Sequence, residues 1–142
     1  MPRLSTGMRN SFLVAVAAAL EGGVLEFRGG AAPATTDAAA TGTVIGTLEF
    51  PVTGFDNPNA GSMAKSADVW EDPAADAAGT IGHARFRLDA DLNGASTTDE
   101  RIDFSVTATG GGGDIEVQNT VVALGQPIIM TSFSLTMPAG TI

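Results

Sequence analysis

The residues with the clearest chemical spacing lie in the acidic stretch Asp89 to Glu100, which reads DADLNGASTTDE. Acids or amides at its first, third and fifth positions, a glycine at its sixth and a glutamate at its twelfth match the pattern of a calcium-binding EF-hand loop. The eighth position is Ser96 rather than an apolar anchor, and the flanking segments alternate like strands instead of showing helical spacing. A polar hairpin tip that turns at Asn93-Gly94 explains the same residues. We therefore favour the hairpin, predict no metal site, and keep calcium binding as an alternative.

The remaining residues with catalytic potential are few. His83 is the single histidine, and the chain has no cysteine or tyrosine. A lone histidine makes no recognisable triad or metal site, so we expect it at the surface or in an interface. Glu71 and Asp72, beside Trp70, could act as a carboxylate pair on a sugar, but adjacent strand residues point to opposite faces. A buried tryptophan at a strand end, followed by a turn, is the simpler interpretation. We predict no catalytic residue, no cofactor and no enzymatic activity.

Length and charge narrow the class of protein. Sixteen acids against seven basic residues give a net charge of −9, which would repel nucleic acid and anionic membranes. The absence of cysteine excludes disulfides and thiolate metal sites. With 142 residues and 44% hydrophobic content the chain can form one ordinary core, so we expect a single domain over 1–142.

The N-terminal segment has the profile of a secretory signal peptide, because two arginines precede the apolar run FLVAVAAAL. We expect the segment to be retained, and the run is shorter than the ~20 apolar residues that cross a bilayer. As a helix within 1–22, it would start at a cap formed by Ser5 or Thr6 and end at Gly22-Gly23. Residues at three-to-four spacing predict its packing face: Met8, Phe12, Val16 and Ala19 or Leu20.

After Gly23 the period changes from helical to alternating, which predicts strands. The segments with this pattern are VLEFR, TVIGTLEF, SADVW, TIGHARFRL, RIDFSVTA, DIEVQNTVV and IIMTSFSLTM. We predict a mainly β protein, an antiparallel β-sandwich of about six to seven strands over 23–142, preceded by one N-terminal α-helix. TIGHARFRL and RIDFSVTA should pair, with Arg85 or Arg87 near Asp103.

The connections are also distinctive. Gly29 to Gly42 and Pro51 to Ala67 exceed the usual connection of about 4–6 residues, so they are either mobile or ordered by partners. We favour ordering by neighbouring subunits. The tetraglycine Gly110 to Gly113 should form a mobile tip or a place where another backbone approaches closely.

Several segments resemble a known family. The opening LSTGMRN, the segment GGVLEFRGGAAPATTDAAATGTVIGTLEF and the ending NTVVALGQPIIMTSFSLTMPAG are similar to small structural proteins of tailed bacteriophages, in which an LSTG-type N-terminal helix precedes a β-rich body. The family's first strand usually ends in an aromatic residue, a serine and a glycine, whereas this chain has Phe27, Arg28 and Gly29. The resemblance implies a virion component that is present in many symmetric copies.

Three functional hypotheses follow. The first is a virion structural protein, a capsid decoration or accessory protein or a head–tail component, which contacts copies of itself and other virion proteins as a homo-oligomer. The second is a receptor- or glycan-binding module of the virion that uses Trp70 and the loop tips. The third is an extracellular β-domain that calcium stabilises through Asp89 to Glu100.

Overall fold

One helix and nine strands make up the described part of the chain, which is residues 2–50 and 54–141 of a computed structural model. The prediction of a mainly β protein with one N-terminal helix is confirmed. The elements are α1 (Thr6–Leu20), β1 (Val24–Gly29), β2 (Val44–Glu49), β3 (Ser62–Ala64), β4 (Trp70–Asp72), β5 (Gly79–Arg87), β6 (Arg101–Ala108), β7 (Ile115–Val117), β8 (Val121–Val122) and β9 (Ile128–Thr136).

Hydrogen bonds link the nine strands into one curled sheet in the order β2-β1-β5-β6-β7-β9-β3, with β4 also paired to β9 and β8 to β5. The predicted sandwich is therefore not confirmed, and the strands exceed the expected six to seven because β3, β4, β7 and β8 contain only two or three residues each. Curling brings β2 beside β4. There the backbone amide of Thr47 donates to Asp72 Oδ2 (2.9 Å), and the amide of Asp76 donates to the carbonyl oxygen of Ile45 (2.8 Å).

Helix α1 begins as the sequence predicts. Ser5 is its cap, with Oγ accepting from the Met8 amide (3.2 Å), and the chain leaves the helix through Gly22 at a φ of 75°. No helix in the described ranges is long and apolar enough to cross a membrane.

The predicted packing face of α1 is wrong in part. Leu13 and Leu20 are the buried residues, whereas Met8 and Phe12 remain 50% and 44% exposed. The cause is the polar anchoring of the helix, because Asn10 Oδ1 accepts from the Gly61 amide (2.9 Å) and sets the rotation. In a run as uniformly apolar as this one, hydrophobic spacing alone does not select one stripe over its neighbour.

An aromatic cluster forms the centre of the core. Trp70, only 1% exposed, packs against both Phe50 and Phe55, with ring centroids 5.4 and 5.1 Å away. Trp70 is buried as predicted, but it begins β4 instead of ending a strand, and the predicted strand SADVW does not form before it. Met63 on β3 is also buried, so a strand forms inside the predicted loop Pro51 to Ala67; residues 51–53 of that loop lie outside the described residues.

The tetraglycine segment joins two parallel strands, β6 and β7, through only the residues 109–114. Parallel neighbours usually need a crossover of roughly a dozen residues or more. Here the backbone folds back on β6 so closely that a Cβ on Gly111 would lie 2.6 Å from Thr107 Cβ. Glu116 accepts hydrogen bonds from two of the glycine amides, at 3.0 and 2.9 Å. Of the two predicted roles for these glycines, the structure shows the close backbone approach.

Candidate functional site

The acidic stretch Asp89 to Glu100 joins β5 to β6, and two of its ligand-type residues, Asp91 and Asn93, already have partners. Asp91 is buried, and its carboxylate receives Arg101 Nε (2.5 Å) and Nη2 (2.6 Å). Asp91 Oδ1 also accepts from the backbone amide of Asn93 (2.8 Å), which has a left-handed φ of 63°. The turn is thus an Asx turn that places Asn93 in the left-handed region. The Asn93 amide group donates to Glu26, away from the loop centre.

Within residues 2–50 and 54–141, no group of three or more acidic, histidine or cysteine side chains could hold a metal ion. Asp91, which the EF-hand pattern would aim at the ion, instead neutralises Arg101, whose side chain is 2% exposed. The calcium alternative therefore has no geometric support in this loop.

Asp91 is the end of a larger network of charged side chains on the face of β1, β5 and β6 that points away from the aromatic core. Glu26 on β1 is 4% exposed and accepts from Arg28 (2.7 Å) and from Arg87 Nε (2.7 Å). The network contains eight charged residues, four of each sign, and we call it the ionic layer: Glu26, Arg28, Arg85, Arg87, Asp91, Asp99, Arg101 and Asp103.

The predicted pairing of β5 with β6 is confirmed, and so is its cross-strand ion pair. Arg85 lies opposite Asp103, and its Nε donates to Asp103 Oδ1 at 2.7 Å. Arg85 itself has no exposed surface, because its guanidinium also donates to the carbonyl oxygens of Thr36 (3.2 Å) and Ala38 (2.9 Å). The face that alternation predicts as half exposed is therefore covered.

The cover is the connection between β1 and β2. Its residues hydrogen-bond the β5–β6 loop, with the Ser96 amide donating to Asp37 O (2.8 Å) and the Ala40 amide to Asn93 O (3.0 Å). We expected neighbouring subunits to order this connection, but the chain supplies these contacts itself. Sequence reasoning missed one signal, the arginines and acids at alternate positions of β1 and β5. Because charged side chains that are buried need hydrogen-bond or ionic partners, these positions predict a covering segment that supplies carbonyls or charges.

The ionic layer shifts several pKa values. Burial raises the pKa of Glu26, but hydrogen bonds from Arg87 and Arg28 and their charges outweigh it, so the net pKa lies below its ordinary value. The hydrogen bond from Arg101 lowers the pKa of Asp91, and the same bond raises the pKa of Arg101. All three groups are held in their charged forms at neutral pH.

His83 lies at the edge of this layer, and its burial corrects the prediction of a histidine at the surface or in an interface. It is 2% exposed, and Nδ1 lies 2.9 Å from the carbonyl oxygen of Gly30, where the covering connection begins. Neighbouring Gly82 is in contact with the same carbonyl, since a Cβ there would lie 2.0 Å from it. His83 therefore helps to hold the cover on β5.

The carboxylates beside Trp70 do not form a pair. Asp72 is buried and accepts from the amides of Thr47 (2.9 Å) and Ala74 (3.0 Å), whereas Glu71 points to solvent. Their opposite orientation is as predicted. Trp70 itself is packed in the core, so it is not accessible as a glycan contact in the folded chain.

An open apolar groove lies between α1 and the start of β6. Its volume is about 470 Å³, within the roughly 300–1,000 Å³ range of ligand pockets. The floor consists of apolar side chains from the helix and the sheet, and three charged residues, Asp99, Glu100 and Arg101, stand at one end. Phe12 borders the groove, and Met8, one turn earlier on the same helix, is 50% exposed. This groove and the neighbouring helix surface are the candidate functional site.

No protein-family model, curated protein or solved structure matches this chain. The resemblance to phage structural proteins therefore remains a prediction from the residues quoted for it.

Proposed function

We propose that this protein is a bacteriophage virion structural protein, either a capsid decoration or accessory protein or a component of the neck or tail. It acts by binding rather than by catalysis, through symmetric contacts with copies of itself and with capsid or tail subunits. The segments LSTGMRN and NTVVALGQPIIMTSFSLTMPAG support the class of protein by resemblance. With a net charge of −9, the chain binds virion proteins rather than nucleic acid or membrane.

The observation that carries the proposal is the exposed apolar surface of α1. Two large apolar side chains one turn apart on this 15-residue helix, Met8 and Phe12, are 50% and 44% exposed, and Phe12 borders the apolar groove. Grouped apolar surface of this kind marks protein–protein interaction sites, whereas single exposed apolar residues do not.

The helix is also held firmly enough to present that surface. Beyond Leu13 and Leu20 in the core, Arg9 Nη1 donates to the carbonyl oxygens of Ala60 and Met137 (both 3.4 Å), and the Leu4 amide donates to Ala139 O (2.7 Å). A pre-organised helix loses little conformational entropy when it binds. Deleting the residues before Gly22 would remove both the surface and two buried core leucines.

Particle composition tests the proposal. Purified virions should contain the chain in many copies, and Phe12→Asp should lower its incorporation about tenfold, the effect of ~1.4 kcal/mol. The matched control is Val121→Asp, which places the same charge on a side chain that is 70% exposed on β8, and should leave incorporation unchanged. The proposal is wrong if virions lack the wild-type chain and the purified protein neither oligomerises nor binds capsid or tail subunits.

A further inference from the structure

The groove between α1 and β6 has a shape that the chain itself leaves unfilled. Two small residues, Ala15 and Ala19, line its helix side, and Phe86 and Ile102 line its sheet side. The helix is fixed by its polar anchors and by Leu13 and Leu20, so it does not shift to close the space. The groove therefore admits one or two large apolar side chains of a partner.

The accessible charges at one end of the groove are negative. Arg101 is 2% exposed at its side chain and is neutralised by Asp91, so it offers little positive charge to a ligand. Asp99 reaches Arg101 only at 3.3 Å and keeps 43% of its side chain exposed. Glu100 is exposed and forms no ion pair with any residue of the described ranges. Two accessible carboxylates thus stand beside an apolar floor.

The net charge of the whole surface also favours a basic partner. The ionic layer contains four acids and four arginines, and the remaining twelve acids and three basic residues carry the entire net charge of −9. A second copy of this chain would bring mostly acids to an acidic rim, which like-charge repulsion disfavours. A basic partner is attracted both at long range and at the rim.

We infer that this groove binds a basic, apolar segment of another protein, in which a large apolar side chain such as Phe or Leu enters the groove and a flanking Lys or Arg pairs with Asp99 and Glu100. The inference rests on the proposed function in that the partner would be another virion protein. The groove holds the apolar side chain by burial, and the two carboxylates select the charge of the residues beside it.

The test uses the full-length protein labelled with ¹⁵N and a set of synthetic octapeptides, each with one Phe or Leu between Lys or Arg residues. We expect saturable shifts of the Ala15, Ala19 and Ile102 amides. Octapeptides with Glu in place of the basic residues, or Ser in place of the apolar one, should bind at least about tenfold more weakly. Raising the salt concentration from low ionic strength to 0.5 M should weaken the binding of the basic peptides, since the Debye length falls severalfold.

Two matched variants locate the site. Ala15→Trp fills the groove and should weaken peptide binding about tenfold or more, whereas Ala18→Trp adds the same side chain at an exposed position of α1 that does not line the groove and should change it less than about twofold. Glu100→Lys should remove the preference for basic over acidic peptides. Unchanged melting temperatures and amide spectra outside the groove show that each variant is folded.

The inference is overturned if no basic peptide shifts the groove amides at millimolar concentration. It is also overturned if the Ala15→Trp variant binds the basic peptides as well as the Ala18→Trp variant does, or if acidic peptides bind the wild type as well as basic ones do. Self-association of the wild type that Ala15→Trp abolishes also overturns it, because the occupant is then a second copy. These measurements need no virion. If the peptides do not bind but virions still contain the chain, only the inference about the groove is rejected. If virions lack the chain, the proposed function is rejected.

Discussion

Replacement of Glu26 by glutamine tests whether the ionic layer holds the covering connection on the sheet. Glu26 is 4% exposed and accepts from Arg28 Nη2 and Arg87 Nε, both at 2.7 Å, and from the Asn93 side chain at 3.1–3.2 Å. Glutamine keeps the shape but removes the charge, and its NH₂ group would face a guanidinium donor. Two arginines then lose their counter-charge in a covered site.

The expected loss follows from their surroundings. Removing one partner of a buried ion pair costs roughly 3–5 kcal/mol. The side chains of Arg28 and Arg87 keep 10% and 18% of their surface exposed, and Arg28 retains a bond to Gly42 O at 2.9 Å, so water and carbonyls offset part of the loss. We expect the free energy of unfolding to fall by about 3 kcal/mol. For an unfolding free energy that decreases by about 2 kcal/mol per molar urea, this loss lowers the urea midpoint by about 1.5 M.

The control is Glu71→Gln, which removes an exposed carboxylate from strand β4 and should change stability by less than about 0.5 kcal/mol. The pH dependence gives a second criterion. The folded-state pKa of Glu26 lies below its ordinary value of 4.5, so its contribution is complete above pH 4.5 and is lost as the pH falls through the folded pKa. The difference between wild type and Glu26→Gln should therefore shrink at acid pH. A loss under about 1 kcal/mol, or a difference that stays constant down to pH 2, would refute the reasoning.

Three further predictions concern the loops and the strand residues that contact them. Gly82→Ala would place a Cβ 2.0 Å from the carbonyl oxygen of Gly30, and should destabilise the fold by about 1–3 kcal/mol in urea titrations, whereas Gly94→Ala, which has open space around it, should not. Glu116→Ala should accelerate hydrogen exchange of the glycine amides that Glu116 binds while leaving the melting temperature unchanged, and equal exchange in both proteins would contradict the role of that carboxylate. Calcium and chelator should leave the melting temperature of the wild type and of Asp89→Ala unchanged, and a calcium-dependent rise would restore the EF-hand interpretation.

Local patterns predicted the features that local physics controls. Ser5 caps α1 because a hydroxyl before an apolar run satisfies the first free amides. β5 pairs with β6 because two alternating segments flank a turn-rich connection, and of the two arginines predicted to lie near Asp103, the register selects Arg85. Trp70 is buried because its large apolar ring has a core to enter.

The candidate site was less predictable. A run such as FLVAVAAAL offers several equivalent stripes, and the choice between Phe12 and Leu13 was made by Asn10 binding the distant Gly61 amide. The short strands β3 and β8 carry too few residues for a period to be recognised, and they form because β9 and β5 present free edges to them.

Composition and local patterns define which chemical groups this protein has: an acidic, cysteine-free chain with one capped helix, alternating strands and an Asn93 suited to a left-handed turn. The tertiary structure alone decided which partner each charged group takes. Asp91 could have faced a cation or an arginine, and it faces Arg101 because the chain from 30 to 42 closes over β5 and β6 and excludes water from that face. A carboxylate that is removed from water is stabilised by the nearest fixed positive charge, and only the fold brings that charge within reach.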